Sequence, residues 1–372
     1  MSENLSTDVL IVGAGAVGSA LAFELSRHGH ACVLAERGRP GRESSWAAAG
    51  VLFPAHGHPE PAFRDLLRRG YELHRETADL LLEETGIDVG LRRCGVVAPF
   101  WESAAPSRAE SWETVEPSPF EDAREISREE ALEREPTLAP DIAGAFLCEE
   151  ASQIHNPTYV EALVTAAARR GTTILDGAPL TEVQVESGRG VVAKVGAHRV
   201  AFDRMVICAG AWSAELGGLV SHPIDVEPVR GQVLLTETFP QQIRHIVMAG
   251  EAYLVPRPAG RILVGSTVEH VGFDKRNTIE GIEYLAREAR RIAPFLASRP
   301  VIKTWSGLRP GSSDALPTMD RLGDLENVFV STGHYRSGVI LSTIAARLMG
   351  SLLEDTKPEL SMNPYRYRRS KG

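Results

Sequence analysis

The sequence predicts an α/β protein: a discontinuous, Rossmann-like domain on a parallel sheet, joined to a second domain with a mostly antiparallel sheet. Three observations predict it. The chain opens with an apolar run, residues 9–12, that passes at once into Gly13-Ala14-Gly15-Ala16-Val17-Gly18 and then a helical pattern. It closes with a second strand, glycine loop and helix: residues 328–332, 333–338, and apolar side chains from Ile340 to Leu352 at helical spacing. Between these ends lie short strand-like stretches, among them residues 229–235 and the pair 253–257 and 261–265 around Pro258-Ala259-Gly260. That pair reads as a hairpin of an antiparallel sheet.

Residues 9–12 carry no polar side chain, the mark of a parallel strand buried on both faces. Gly13 permits the tight turn, Gly15 lets a pyrophosphate approach the backbone, and Gly18 lets the helix pack closely on the strand. The helix N-terminus offers free N–H groups and a partial positive charge to the phosphates. A second strand, residues 31–35, ends in Glu36, where a carboxylate accepts hydrogen bonds from a ribose. An acid there argues against a 2′-phosphate, which asks for a basic residue. Strand, glycines, helix, strand and acid agree, so the unit reads as a dinucleotide site rather than a bare glycine turn.

Residues 41–50, GRESSWAAAG, are small enough to bring backbone close to something flat or charged, and Ser44 or Ser45 is expected to cap a short helix. Residues 62–82 read as a helix with Leu66, Leu67, Leu73, Leu80, Leu81 and Leu82 on one stripe. Residues 101–140 are acidic, with Glu129, Glu130, Glu133 and Glu135 read as a solvated face and not as paired catalytic carboxylates. A helix is expected at 157–171. Short strands follow at 174–175, 181–185, 191–200 and 205–208, the last running into Ala209-Gly210-Ala211-Trp212 as a second close approach to the dinucleotide. Residues 283–293 read as a helix.

The 372 residues, 43% hydrophobic and 24% charged, are ordinary for a globular enzyme. A net charge of −9 gives no electrostatic footprint for nucleic acid. No apolar run approaches the ~20 residues that cross a bilayer. The first strand begins too early to leave room for a signal peptide, so the expected location is cytoplasmic. Cys32, Cys94, Cys148 and Cys208 form no CxxC pair and no metal-like cluster. Cys32 and Cys208 sit in apolar runs and read as small core residues. His155, His245 and His270 are isolated and are taken as non-ligand histidines.

The opening fingerprint, GRESSWAAAG, PVRGQ, YLVPRPAGRILVGSTVEHVGFD, WSGLRPGSSDALP and STGHYRSGVIL follow one another in this order. With them the chain resembles the D-amino-acid-oxidase-like flavoprotein family, on its glycine-oxidase side, over nearly its whole length. The resemblance implies FAD. Residues 1–84, 145–222 and 305–364 would bind it, residues 85–144 and 223–304 would form the substrate domain, and 365–372 would be a tail. By the same resemblance Ala16, Val17, Glu36, Arg37, Ser44, Ser45, Ala49, Gly50 and Val51 would line the cofactor, and Val183 would contact its adenine side. His334, Tyr335, Arg336, Ser337, Gly338, Val339 and Ile340 would surround the isoalloxazine. Tyr253, Arg309 and Arg336 would hold the substrate. Related enzymes that attach FAD covalently use a cysteine in the C-terminal part; none follows Cys208, so non-covalent FAD is expected. Ser337 stands where the family commonly has asparagine.

The chemistry of these residue types agrees. A planar guanidinium fixes an amino-acid carboxylate bidentately. Arg309 stands in Gly307-Leu308-Arg309-Pro310 and Arg336 in a glycine-flanked loop, neither on an amphipathic surface face. Tyr253 can add a hydroxyl to the same carboxylate, and His334 is expected to offer backbone rather than a base. The implied activity is FAD-dependent oxidative deamination of glycine, sarcosine or a small D-amino acid, with molecular oxygen as acceptor. Its products are an imine or 2-oxo acid, ammonia and hydrogen peroxide, and its implied setting is thiamine (thiazole) biosynthesis. A neutral amine assists hydride loss from Cα, so positioning does most of the work. The helix after Ser337 would steady negative charge on the reduced ring. The alternatives are a dehydrogenase of the same fold passing electrons to a quinone or protein, a flavin-binding module without turnover, and, more remotely, a nicotinamide dehydrogenase. No membrane or nucleic-acid partner is expected, whereas a homo-oligomer, a tetramer in relatives, is. Met248 and Val268 are candidate pocket walls.

Overall fold

The computed structural model describes residues 4–54, 59–101 and 123–368. At its centre the strand Asn4–Val12 runs parallel to Cys32–Ala35 on one side and to His198–Ile207 on the other. Thr173–Leu175 and Val328–Thr332 extend this parallel core at its two edges. The antiparallel strands Leu180–Glu186, Arg189–Val195 and Thr318–Arg321 complete an eight-stranded sheet. Alternation explains the apolar run at residues 9–12. Val9 and Ile11 join one buried cluster with the helices Ala16–Arg27, Pro61–Thr85, Asn156–Arg169 and Ser342–Leu353. Leu10 and Val12 point the other way, into a cluster with Val33, Met205 and Ile207. Side chains of a strand alternate between faces, and here both faces are covered.

The second sheet also has eight strands, in the order Val301–Gly311, Glu227–Glu237, Arg261–Gly265, Ala252–Arg257, Ile246–Ala249, Val96–Phe100, Gly144–Cys148, Ala123–Ser127. Every neighbouring pair is antiparallel except Val96–Phe100 with Ile246–Ala249. One face packs on the helix Ile279–Ile292 through Leu234, Leu254, Ile262 and Val264 against Leu285 and Ile292. The opposite face, with Val233, Val255 and Leu263, packs on Ala49 and Phe53 of the dinucleotide layer. Tyr253 sits on that same face, two residues from Val255, so strand periodicity alone aims it at the junction of the layers.

The structure corrects several expectations. Gly144–Cys148 and Val301–Gly311 belong to the second sheet, so the boundaries expected at 145 and 305 cut through or beside strands whose partners lie far away in sequence. The region 191–208 divides at residues 196–197, giving Arg189–Val195 and one long strand, His198–Ile207. The N-cap of Ser44–Ala47 is Glu43, not Ser44 or Ser45. Leu82 is half exposed, because three consecutive leucines on a helix cannot share one face. Glu135 is not solvated. It is fully buried and accepts from the backbone N–H groups of Arg244 (2.9 Å) and His245 (2.6 Å), with the His245 ring nitrogen Nδ1 at 2.6 Å. The stretch from 365 is no loose tail at its start: Tyr365 is buried and donates to the Ala62 carbonyl, and Tyr367 donates to that of Pro223. Much of the expected acidic segment, residues 102–122, lies outside the described residues. Among the described residues no helix is long and apolar enough to cross a membrane, and the four cysteines are free.

Candidate active site

A cavity of about 680 Å³ runs along the junction of the two layers, from the opening glycine turn to the second sheet. At one end Gly13 takes φ +106°, a conformation a side chain opposes, and a Cβ there would lie 2.5 Å from the Cys208 carbonyl oxygen. A Cβ at Gly18 would strike the Gly13 carbonyl, so the helix Ala16–Arg27 can come this close to the turn only with glycine there. Glu36 ends its strand with one carboxylate oxygen accepting from Ala14 N–H (2.9 Å) and the other from Gly38 N–H (3.0 Å). The Ser45 hydroxyl accepts from Ala16 N–H at 2.9 Å, which sets it at the helix N-terminus, where an anion is favoured.

The segment bearing Ser45 is held from three directions. Asn156 Nδ2 donates to the carbonyls of Ser45 and of Ala48 (3.1 Å). Trp305 Nε1 donates to Ala47 (3.1 Å), and the Arg257 guanidinium to Ala49 (2.5 Å) and Ile154 (3.2 Å). Burial pushes Arg257 down to about 10, which leaves it charged at neutral pH. Two of these three ties come from the second sheet, so that sheet shapes the dinucleotide loop as well as its own end of the cavity.

At that end Arg309 and Tyr253 lie across glycines of neighbouring strands. A Cβ at Gly231 would be 2.5 Å from Arg309 Cζ, and a Cβ at Gly265 would be 2.5 Å from Tyr253 Cε2. Arg309 Nη1 donates to the Thr267 carbonyl (3.1 Å) and Nη2 to the Ser266 hydroxyl (2.5 Å). Burial lowers its pKa, partly offset by Tyr253. Arg336 is more open, with 39% of its side chain exposed, and is paired to Glu251 at 2.7 Å. Burial works against its charge, but Glu251 and Tyr335 outweigh that and raise its pKa. Arg230 and Gln232 flank Gly231 on the strand's other face. They bind Glu269, which ties down the chain that follows residue 267.

The loop after Val328–Thr332 completes the wall. His334 is buried, burial pushes it down to about 4, and its Nε2 has no hydrogen-bond partner. It is therefore a neutral imidazole with one unused polar atom in the cavity wall. Tyr335 adopts φ +45°, an uncommon state for a side-chain-bearing residue that costs on the order of 1 kcal/mol. The loop is braced at Val339, whose carbonyl accepts from His74 Nε2 (2.9 Å) and the Ser342 hydroxyl (2.7 Å). Residues 335–337 form a single 3₁₀ turn, and the α-helix expected directly after Ser337 begins at Ser342.

Gly13, Gly15, Ala16, Val17, Glu36, Arg37, Ser44, Ser45, Ala49, Gly50, Val51 and Gly210 all line this cavity, as do Tyr253, Arg309, Met248 and every residue from His334 to Ile340. Gly18 does not; it makes the helix–turn contact instead. Val183, expected to act through its backbone, has its side chain buried in the strand Leu180–Glu186 opposite Ala193, and Ala178, Pro179 and Leu180 line the cavity just before it. Val268 is outside the lining. Sequence reasoning missed Glu251, the stacking of Arg37 over the Trp212 ring (3.6 Å to its centroid) and the purpose of Gly231 and Gly265. The glycines were detectable, since a glycine within a strand marks a close approach.

A phosphate-ready helix start, a ribose-ready acid, an unpartnered buried imidazole and a long cavity between two sheets fit a flavin dinucleotide, and they define a flavoprotein oxidoreductase. The chain belongs to the FAD dependent oxidoreductase family, which it matches over residues 8–352. It is 31% identical over 364 residues to glycine oxidase of Pseudomonas putida, covering 97% of this chain and 98% of that protein. It is 30% identical to hydrogen cyanide synthase subunit HcnC of Pseudomonas aeruginosa, covering 97% and 96%. The crystal structure of glycine oxidase from Geobacillus kaustophilus superimposes with a TM-score of 0.91 at 30% identity, covering 99% of this chain and all of the other. The protein is thus FAD-dependent and has the fold of glycine oxidase.

Proposed function

We propose that the protein oxidatively deaminates glycine or another small amino acid, with molecular oxygen as final acceptor and ammonia, a 2-oxo acid and hydrogen peroxide as products. One observation carries this reading: two guanidinium groups and a tyrosine meet in the cavity that begins at the dinucleotide turn. Bound FAD supplies the two-electron acceptor. Arg309 and Arg336 bind the substrate carboxylate, and Tyr253 adds a hydroxyl to it. His334, neutral near pH 7, adds no charge there. Positioning is then the chain's main contribution. The parallel-sheet layer holds the cofactor and the second sheet presents the substrate. The cofactor is held without a covalent bond, in keeping with Cys208, whose thiol is buried and pushed up to about 12. The similarity to glycine oxidase supports a small amino-acid substrate. The similarity to hydrogen cyanide synthase subunit HcnC marks the product as a point at which such chains diverge.

The test is anaerobic mixing of the yellow holoprotein with glycine, sarcosine and D-alanine, then admission of oxygen. Loss of the oxidised flavin band, followed by its return with peroxide, is the expected result. Bleaching that only a quinone reverses would make the protein a dehydrogenase, and no bleaching by any amino acid would overturn the reading.

A further inference from the structure

Glu251 has no part in the chemistry above, yet it lines the cavity beside Arg336. It stands at the tip of the hairpin joining Ile246–Ala249 to Ala252–Arg257. Ala249 pairs with Ala252, so Gly250 and Glu251 alone make the turn. A two-residue turn between paired strands fixes the backbone there. The Glu251 carboxylate accepts from Arg336 Nη2 at 2.7 Å, and its charge is also felt at Arg309. Of the charged residues lining the cavity, the second sheet and the loop after Val328–Thr332 contribute three: Arg309, Arg336 and Glu251. Two positive charges against one negative leave +1, the complement of one carboxylate.

We propose that Glu251 is a specificity-determining residue that limits the site to substrates with a single carboxylate. It neutralises part of Arg336 and places a fixed negative charge where a second acidic group, on the amine or the side chain, would arrive. A neutral or cationic substituent meets no such penalty. Like charges placed opposite one another are a recognised means of rejecting the wrong partner. With 60% of its side chain exposed, Glu251 exerts that repulsion through partly screened space. The inference rests on the amino-acid reading of the same site.

The test uses holoprotein carrying Glu251→Gln, which keeps the shape and removes the charge, and Glu251→Asp, which keeps the charge. Binding of malonate and of acetate is measured by calorimetry, and flavin bleaching by iminodiacetate is compared with bleaching by sarcosine. In Glu251→Gln the preference should move at least tenfold toward the dicarboxylate in both pairs, about 1.4 kcal/mol, while Glu251→Asp keeps the wild-type ratio. Ratios unmoved within twofold, equal weakening of both ligands, or an Asp variant that behaves like Gln would each overturn the assignment. If wild-type protein bleaches with glycine while the ratios stay put, only this inference falls. If no amino acid bleaches it, the functional reading falls first.

Discussion

Arg309 and Tyr253 can lie flat across adjacent strands only because Gly231 and Gly265 have no side chains. Gly231→Ala should therefore damage carboxylate binding without touching a charged residue. We expect kcat/KM for glycine to fall about a hundredfold, as for Arg309→Lys, which keeps the charge and loses the planar fork. Stopped-flow flavin reduction checks both, and a change below threefold would contradict the placement of Arg309. His74 offers a second residue-scale test. It is buried and pushed down to about 4 from 6.5, because burial disfavours its charged form. Between those values the unfolded chain takes up a proton that the folded chain refuses. Stability is thus full above pH 6.5 and is lost as the pH falls toward 4, by about 3 kcal/mol for this residue. His334 acts in the same direction. Melting temperatures at pH 7, 6 and 5 should fall, and His74→Gln should make the fall shallower.

Among elements, the segment Ser44–Ala47 and the residues up to Gly50 depend most on others. A four-residue helix has no stability of its own. Its carbonyls and those just after it are taken by Asn156, Trp305 and Arg257. Arg257→Met keeps the buried stem and loses the donors to Ala49 and Ile154. FAD titrated into the apoprotein should bind at least tenfold more weakly. Trp305→Phe removes one hydrogen bond, worth about 1 kcal/mol, and should weaken FAD about fivefold. Unchanged affinity in both variants would show that these ties do not shape the cofactor loop. Element-scale features were only partly legible. The hairpin Ala252–Arg257/Arg261–Gly265 was readable because its turn residues are contiguous. Glu135 was misread, since its partners Arg244 and His245 are more than a hundred positions away.

At the scale of the molecule, the site exists only where two sheets meet. In the proposed reading, nucleotide binding draws mainly on the parallel layer, while the carboxylate clamp draws on the second sheet and on the last glycine loop. Substitutions in the clamp should therefore leave FAD affinity nearly unchanged while sharply slowing reduction. A panel of Arg309→Lys, Arg336→Lys and Tyr253→Phe, assayed both for FAD binding and for bleaching by glycine, separates the two functions. Parallel loss of both in all three variants would contradict the division.

The sequence by itself determined the dinucleotide unit. Its signal is local: an apolar strand, glycines at fixed offsets and an acid at the end of the next strand all fall within thirty or so residues. It also pointed to Tyr253, Arg309 and Arg336 through short motifs in order. Only the tertiary structure decided that Glu251 pairs with Arg336, that Gly231 and Gly265 are seats for side chains of other strands, and that Ala178, Pro179 and Leu180 line the cavity. It also decided that the second sheet draws in strands from beyond the expected boundaries, Gly144–Cys148 and Val301–Gly311. These are relations between residues far apart in the chain. Strand pairing and side-chain packing create them, and no periodicity along the sequence encodes which strand will lie beside which.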